Sequence, residues 1–212
     1  MLKKIGIVFV VLMAMNSALA LAAPAELSKT GQRTSYGAGS IDDGALQRGV
    51  AWPEPRFAAV SSGTGTGTVV VDNLTGLTWA GDGGTPTFTG AITICTGGTK
   101  TWQDALNYVA CLNYNSYLGH TDWRLPNINE LESLTHVEFS KETTCAGTCW
   151  SNAQWLNTQG FSNMKVAPYW SSTMFAGTGG TSALYVDMYS NSTAIANTGS
   201  YDYNVLPVRG GL

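Results

Sequence analysis

The sequence predicts an α+β domain: two short helices packed on irregular antiparallel strands and cross-linked by disulfides. Three features carry that expectation. Two consecutive amphipathic segments stand at 101–113 (TWQDALNYVACLN) and 122–134 (DWRLPNINELESL). Around them lie β-branched or alternating runs, TVVV at 68–71 and ALYVDMYS at 183–190, punctuated by Gly, Asn and Ser turns. The four cysteines, Cys95, Cys111, Cys145 and Cys149, are even in number and all follow an export signal.

That signal opens the chain. Lys3 and Lys4 precede an unbroken apolar run from Ile5 to Met15 and the small-residue string ALALAA at 18–23. The pattern reads as a secretory signal peptide over residues 1–23, cleaved after Ala20 or Ala22. The apolar run is too short to favour a permanent membrane helix, and no other segment is suited to span a bilayer. The protein is therefore expected to be exported, to the periplasm, the cell surface or beyond. About 190 residues remain, enough for one domain with a sizeable core and an N-terminal arm.

Residues 24–67 form that arm and end in a Gly/Thr linker, SSGTGTGT. Val50, Trp52, Pro53, Pro55 and Phe57 offer apolar anchors, so the arm is expected to pack along the domain as an extended tail. The linker's glycines lead into a strand rather than from a strand into a helix, which excludes a phosphate cradle. From Val69, VVVDNLTGLTWA reads as a β-hairpin with Trp79 turned into the core. Residues 81–100 read as a loop with a short strand delivering Cys95.

In the first helix, Trp102, Ala105, Leu106, Val109 and Leu112 share one face, with Thr101 as N-cap and Asp104 in the first turn. In the second, Pro126 ends the extended DWRL, Asn127 caps, and Glu130 three residues on completes a capping box ahead of Leu131 and Leu134. A helical turn around Trp155 and Leu156 follows. After YWSS (169–172), ALYVDMYS, a polar turn NSTAIANTGS and YDYNVLPVRG (201–210) read as a terminal antiparallel set. The four cysteines allow three pairings. Cys95–Cys111 is preferred, tying the loop before the first helix to its last turn, with Cys145–Cys149 closing a small loop. A zinc site is disfavoured because the spacing is C-x3-C and His120 and His136 are unpaired in sequence.

Five blocks in one order, VVVDNLTGLTWA, TWQDALNY, DWRLPNINEL, YWSS and PVRGG, resemble the Lcl C-terminal domain family over residues 68–212. The arrangement is also similar to formylglycine-generating enzymes, which share a tryptophan-led helix, an Arg-Leu-Pro turn and a terminal Arg-Gly-Gly strand. Through them the resemblance implies a C-type-lectin-like fold. The family takes its name from a collagen-like bacterial adhesin whose terminal domain is tied to glycosaminoglycan binding and trimer formation. Adhesion, and an oligomer, are what the resemblance implies.

Only 12% of residues are charged and the formal net charge is −3. No basic stripe invites nucleic acid. The chain lacks the C-terminal cysteine pair with which formylglycine-generating enzymes hold copper, and it has no G-x-S-x-G elbow or H-E-x-x-H helix. A glycosidase-like carboxylate pair could be drawn only from Glu130, Glu132, Glu138, Asp187 or Asp202. The expectation is therefore a non-enzymatic protein without a cofactor. The E-P-N and W-N-D strings of calcium-dependent sugar lectins are absent, though Asp72 or Asp82 could hold a structural calcium.

Trp102, Trp123 and Trp170 read as core aromatics. Arg124 reads as a structural guanidinium for backbone carbonyls and a buried acid such as Glu130, and Arg209 as a structural anchor. The candidate binding face is the Tyr/Asn/Ser/Asp-rich C-terminal stretch: Tyr185, Asp187, Tyr189, Asn191, Tyr201, Asp202, Tyr203 and Asn204. These residue types combine flat amphipathic area with adaptable hydrogen bonding, which suits sugar rings and protein surfaces alike. The alternative reading is a set of solvent-facing residues on antiparallel strands. With Arg209 as its one cation, the face favours a neutral glycan or a protein over a polyanion. The competing roles are an enzyme, a hydrolase or one of the formylglycine-generating type, and a structural envelope protein.

Overall fold

The computed structural model describes residues 27–37, 41–62, 67–139 and 151–210. The signal segment, residues 63–66 of the Gly/Thr linker and Cys145 and Cys149 lie outside the described residues. The fold is mixed α+β, with few short helices, antiparallel sheets and, among the described residues, one disulfide, Cys95–Cys111.

Its centre is a four-stranded antiparallel sheet in the order β1-β2-β3-β9, formed by β1 (Phe57–Ser61), β2 (Thr68–Asp72), β3 (Thr78–Ala80) and β9 (Val208–Arg209). The VVVDNLTGLTWA hairpin pairs Val69 with Ala80, Val70 with Trp79 and Val71 with Thr78. Asp72 makes its turn: its carboxylate accepts from the Leu74 N–H and the Thr75 hydroxyl, each at 3.0 Å. Gly76, at φ +72, supplies the left-handed step that closes it.

The β2–β3–β9 part of the sheet is covered on both faces. One core gathers Val70, Trp79, Leu131, Leu134, Leu156, Tyr169, Val186, Leu206 and Val208. The other gathers Val69, Ala80, Ala105, Val109, Leu112, Trp123, Leu125, Trp170 and Val205. Because side chains alternate across a strand, adjacent residues feed opposite cores: Val69 and Val70, Trp79 and Ala80, Tyr169 and Trp170, Val205 and Leu206. A strand covered on both sides has no polar face, which is why VVV reads as a continuous apolar run.

Three longer helices flank the sheets. A single turn, α1 (Asp43–Leu46), lies in the arm; α2 (Trp102–Tyr114), α3 (Ile128–Ser133) and α4 (Asn152–Thr158) follow. Thr101 caps α2 as expected, and α2 buries Ala105, Tyr108, Val109 and Leu112, while Trp102 and Leu106 are half-buried at its edge. Asn127 and Glu130 form the expected capping box on α3; Ser151 and Gln154 form a second on α4, around the buried Trp155 and Leu156. Asn113 binds the backbone of Trp123 through both ends of its amide, at 2.7 and 2.8 Å, and so fixes the return from α2. Between β3 and α2 the small ribbon β4 (Phe88–Thr89) and β5 (Ile94–Cys95) delivers Cys95 to Cys111.

Two expectations change. The arm is not only an extended tail: its residues Phe57–Ser61 form β1, paired in register from Phe57↔Asp72 to Ser61↔Thr68. Only Phe57 of this strand is buried, so no alternating signal announced it. The sheet thus begins before residue 68. Further back, Ser28 bridges Val50, and Trp52 packs on His136 and Trp155. Second, the NSTAIANTGS stretch is not a turn. Ser192–Asn197 is strand β8, joined to β7 (Ser182–Asp187) and β6 (Pro168–Met174) in a three-stranded antiparallel sheet. Its polar composition hid it, because only Ala196 of the strand is buried. Residues 201–207 are correspondingly not a strand; they run as an extended segment making single bridges until β9.

The arm is locked by a buried ion pair. Arg56 and Asp72 expose 4% and 0% of their side chains, so they meet in low dielectric. Arg56 donates to Asp72 through Nε at 3.2 Å and Nη2 at 3.1 Å and to the Ser133 carbonyl, while stacking over the Trp52 and Phe57 rings. Asp72→Ala leaves that guanidinium buried and unpaired and is expected to cost about 3–5 kcal/mol, read as a lowered denaturant midpoint. Replacing Cys95 and Cys111 together with serine opens a loop with a sequence separation of 16. The expected loss in the same titration is about 3 kcal/mol.

Candidate functional site

The extended segment at 201–204 is held from both sides. Lys100 and Tyr203 exchange two backbone hydrogen bonds of 2.9 Å, and the indole of Trp170 donates to the same Lys100 carbonyl at 2.8 Å. On the other side the Asn204 N–H donates to the Pro168 carbonyl and the Trp170 N–H to the Asn204 carbonyl, each at 3.1 Å. Trp102, half-buried, donates to the Ser171 carbonyl at 2.8 Å and so fastens the start of α2 to β6. Tyr203 therefore stands on a backbone with little freedom.

On one side of this segment an aromatic shelf forms. Tyr203 lies between Trp170 (centroids 4.5 Å apart) and Tyr185 (4.7 Å), and Tyr201 continues the row 5.9 Å from Tyr203. Trp170 is fully buried, Tyr185 and Tyr203 are half-buried, and Tyr201 is 51% exposed. The row runs from core to solvent. Burial, then the neighbouring Tyr185, push the Tyr203 phenol up to about 12 from the usual 10.0.

Asp202 leaves the segment in another direction. It lines an open cleft of about 440 Å³ with Lys100, Asp104, Asn107, Tyr108 and the Cys95–Cys111 disulfide. Lys100 donates to the Gly97 carbonyl at 2.6 Å, and Asp104 accepts from the Thr101 hydroxyl at 2.9 Å. Sequence reasoning passed over Lys100, Asp104 and Asn107, because TWQDALN was read only as a helix start. Polar residues at i and i+3 on that helix were the available signal.

The other residues expected on the face are used internally. Asn204 is buried, and its side chain donates to the Pro168 carbonyl at 3.2 Å. Asp187 shapes the β7–β8 turn by accepting from the Tyr189 N–H at 2.9 Å and the Ser190 hydroxyl at 3.1 Å. Asn191, left-handed at φ +58, donates to the His136 carbonyl at 2.9 Å in the same turn. The shelf therefore consists of Tyr185, Tyr201 and Tyr203, with Asp202 beside it and Tyr189 in the distant turn.

The residues expected to be structural bond within the fold. Trp123 is buried, its indole donating to the Tyr117 carbonyl at 2.8 Å. Arg124 forks onto Glu130 through two contacts of 2.7 Å and reaches the Gly210 carbonyl at 2.9 Å. Burial alone would push the Glu130 carboxyl up. The Arg124 guanidinium and the Asn127 N–H outweigh it and hold the group below its usual range. Arg209 pairs with Asp122 at 2.8 Å and is not a free cation for a ligand.

Of the carboxylates open to a catalytic reading, Glu130 is in that fork, Glu138 accepts from the Arg33 and Thr34 N–H groups, Glu132 accepts from the Thr193 hydroxyl, and Asp187 is in its turn. Among the described residues no group of three His, Cys, Asp or Glu is placed to hold a metal ion. Asp72 has both oxygens committed to Arg56 and its own turn. His136 lies in a box of Trp52, Phe139 and Trp155 rings, and burial pushes it down to about 4. Among the described residues no helix is long and apolar enough to cross a membrane.

The family model described as the Lcl C-terminal domain matches residues 68–209. No curated protein matches the chain.

The shelf gives a pH signature. Tyr203 and Tyr117, the latter raised by burial and by the charge of Asp82, both ionise near 12 in the fold and near 10 when exposed. Above pH 10 the unfolded chain releases these protons first, so stability falls as pH rises from about 10 through about 12. Phenolate absorbance and circular dichroism recorded together should show ionisation tracking unfolding, and Tyr203→Phe should flatten the decline.

Proposed function

We propose that this chain, which belongs to the Lcl C-terminal domain family, is an exported, non-enzymatic recognition module that adheres to a neutral glycan through its tyrosine shelf. The single observation that carries the reading is the graded row Trp170–Tyr203–Tyr201, with Tyr185 against Tyr203, anchored in the core at one end and solvent-facing at the other. Rigid aromatic faces bind sugar rings at low entropic cost, and here the supporting backbone is paired on both sides.

Charge argues for the class of ligand. Both arginines beside the last strand are engaged, Arg209 by Asp122 and Arg124 by Glu130, so a sulfated or carboxylated polymer finds no free guanidinium there. A protein surface is the alternative occupant of the same shelf. The resemblance to formylglycine-generating enzymes is the basis for reading this arrangement of short helices and antiparallel sheets as C-type-lectin-like. The signal-like start of the sequence is the basis for export.

A broad glycan array, probed with oxidised protein with and without chelator, tests the reading. Capture by a neutral glycan class is expected, with Tyr201→Ala weakening it at least about tenfold, roughly 1.4 kcal/mol, at an unchanged melting temperature. A blank array from folded protein, or a loss of stability that accounts for the whole effect of Tyr201→Ala, would sink it.

A further inference from the structure

A second, larger cleft lies away from the shelf. It encloses about 800 Å³ between the loop after β3 and the residues following α2, with Asp82, Phe88, Asn115, Tyr117, Leu118 and Ser162 among its walls. That volume is in the range of small-molecule sites.

The backbone around it is strained in a concentrated way. Among the described residues six non-glycine positions have positive φ, and four belong here: Thr85 (+51°), Ser116 (+52°), Leu118 (+53°) and Asn163 (+56°). A β-branched threonine and a leucine are poor occupants of that region, and such strain persists only where the surroundings enforce it. The enforcement is visible. Buried Tyr169 donates to the Gly83 carbonyl and Tyr108 to the Pro86 carbonyl, both at 2.7 Å. The Thr85 hydroxyl accepts from the Val205 N–H at 2.8 Å, and Asp82 forms a bridge to Ser162. The loop carrying Asp82 and leading to Phe88 is therefore preorganised.

Its chemistry is specific. Phe88 and Tyr117 meet edge to face at 4.8 Å and give an aromatic wall. Asp82 accepts from the Gly84 N–H at 2.8 Å and the Asn163 amide at 3.0 Å, one bond on each oxygen. Each oxygen keeps further acceptor capacity. Among the described residues no lysine, arginine or histidine lines the cleft.

We propose that this cleft is a second ligand site, taking a neutral mono- or disaccharide with an apolar ring face on the half-exposed Phe88, which the buried Tyr117 backs edge to face, and hydroxyls donated to Asp82. An anionic sugar is excluded by the lone carboxylate, which no cation in the cleft offsets. The site does not depend on the tyrosine shelf.

Nuclear magnetic resonance titration of the oxidised protein decides it. The probes are methyl glucoside, methyl galactoside, methyl mannoside, methyl N-acetylglucosaminide, maltose, lactose and N,N′-diacetylchitobiose, with a heparin-derived disaccharide as the anionic comparison. At least one neutral probe is expected to shift the amides of Asp82, Phe88, Tyr117 and Leu118, while the heparin fragment does not. Asp82→Asn should weaken that binding at least tenfold, and Tyr201→Ala should leave it unchanged. Phe88→Ala, at a half-exposed position, gives the same reading if Asp82→Asn fails to fold. The proposal is overturned if no neutral probe shifts these amides, if shifts are confined to residues 201–203, or if neither variant reduces them.

Discussion

Everything in this fold hangs on a short sheet that is covered on both faces. The β2–β3–β9 ladder divides two cores, so each of its residues is committed to one side or the other. A one-residue slip in register would exchange the two sets, placing Trp79 where Ala80 now fits. The volumes differ too much for that to be tolerated in a close-packed interior. The constraint reaches the C-terminus, because Val205, Leu206 and Val208, all fully buried, complete both cores and β9 pairs with β3. The last strand is thus integral to the centre of the domain.

Polar groups then hold what the cores cannot orient. Two ion pairs do related work in different dielectrics. Arg56–Asp72 is sealed from water and fixes where the arm's strand meets the hairpin turn. Arg124–Glu130 is partly open, with side chains 40% and 16% exposed, so screening weakens its charge term. Its value is geometric. A planar fork joins the turn before α3 to the Gly210 carbonyl, while the same Glu130 oxygen that meets Arg124 also closes the capping box at the Asn127 N–H. One carboxylate thereby orients a helix start and the chain's closing strand.

The surfaces available for recognition are by-products of this internal order. Trp170 is buried as a core residue, and Tyr203 and Tyr185 inherit their positions by stacking outward from it. The Asp82 cleft is bounded by a loop whose carbonyls are spoken for by buried tyrosines. In both places a rigid interior supports a small number of outward groups, the arrangement that lowers the entropic cost of binding.

By itself the sequence determined what local physics controls. The caps at Thr101 and Asn127, the amphipathic face of α2, the hairpin closed by DNLTG and the Cys95–Cys111 link were legible because each depends on near neighbours or on a strong residue preference. The Arg124–Glu130 contact and the burial of Trp123 were legible from the company these residues keep in DWRLPNINEL. Tertiary structure decided the rest. Strand β1 owes its existence to a partner, β2, and not to its own pattern; β8 is a strand because β7 offers it a ladder, despite a composition that reads as turn. Asn204, Asp187 and Asn191 look like surface residues in sequence, yet the fold spends their side chains on the Pro168 carbonyl, the β7–β8 turn and the His136 carbonyl. Which polar groups remain for a ligand is set by long-range contacts between segments far apart in the chain, and residue type carries no record of those contacts.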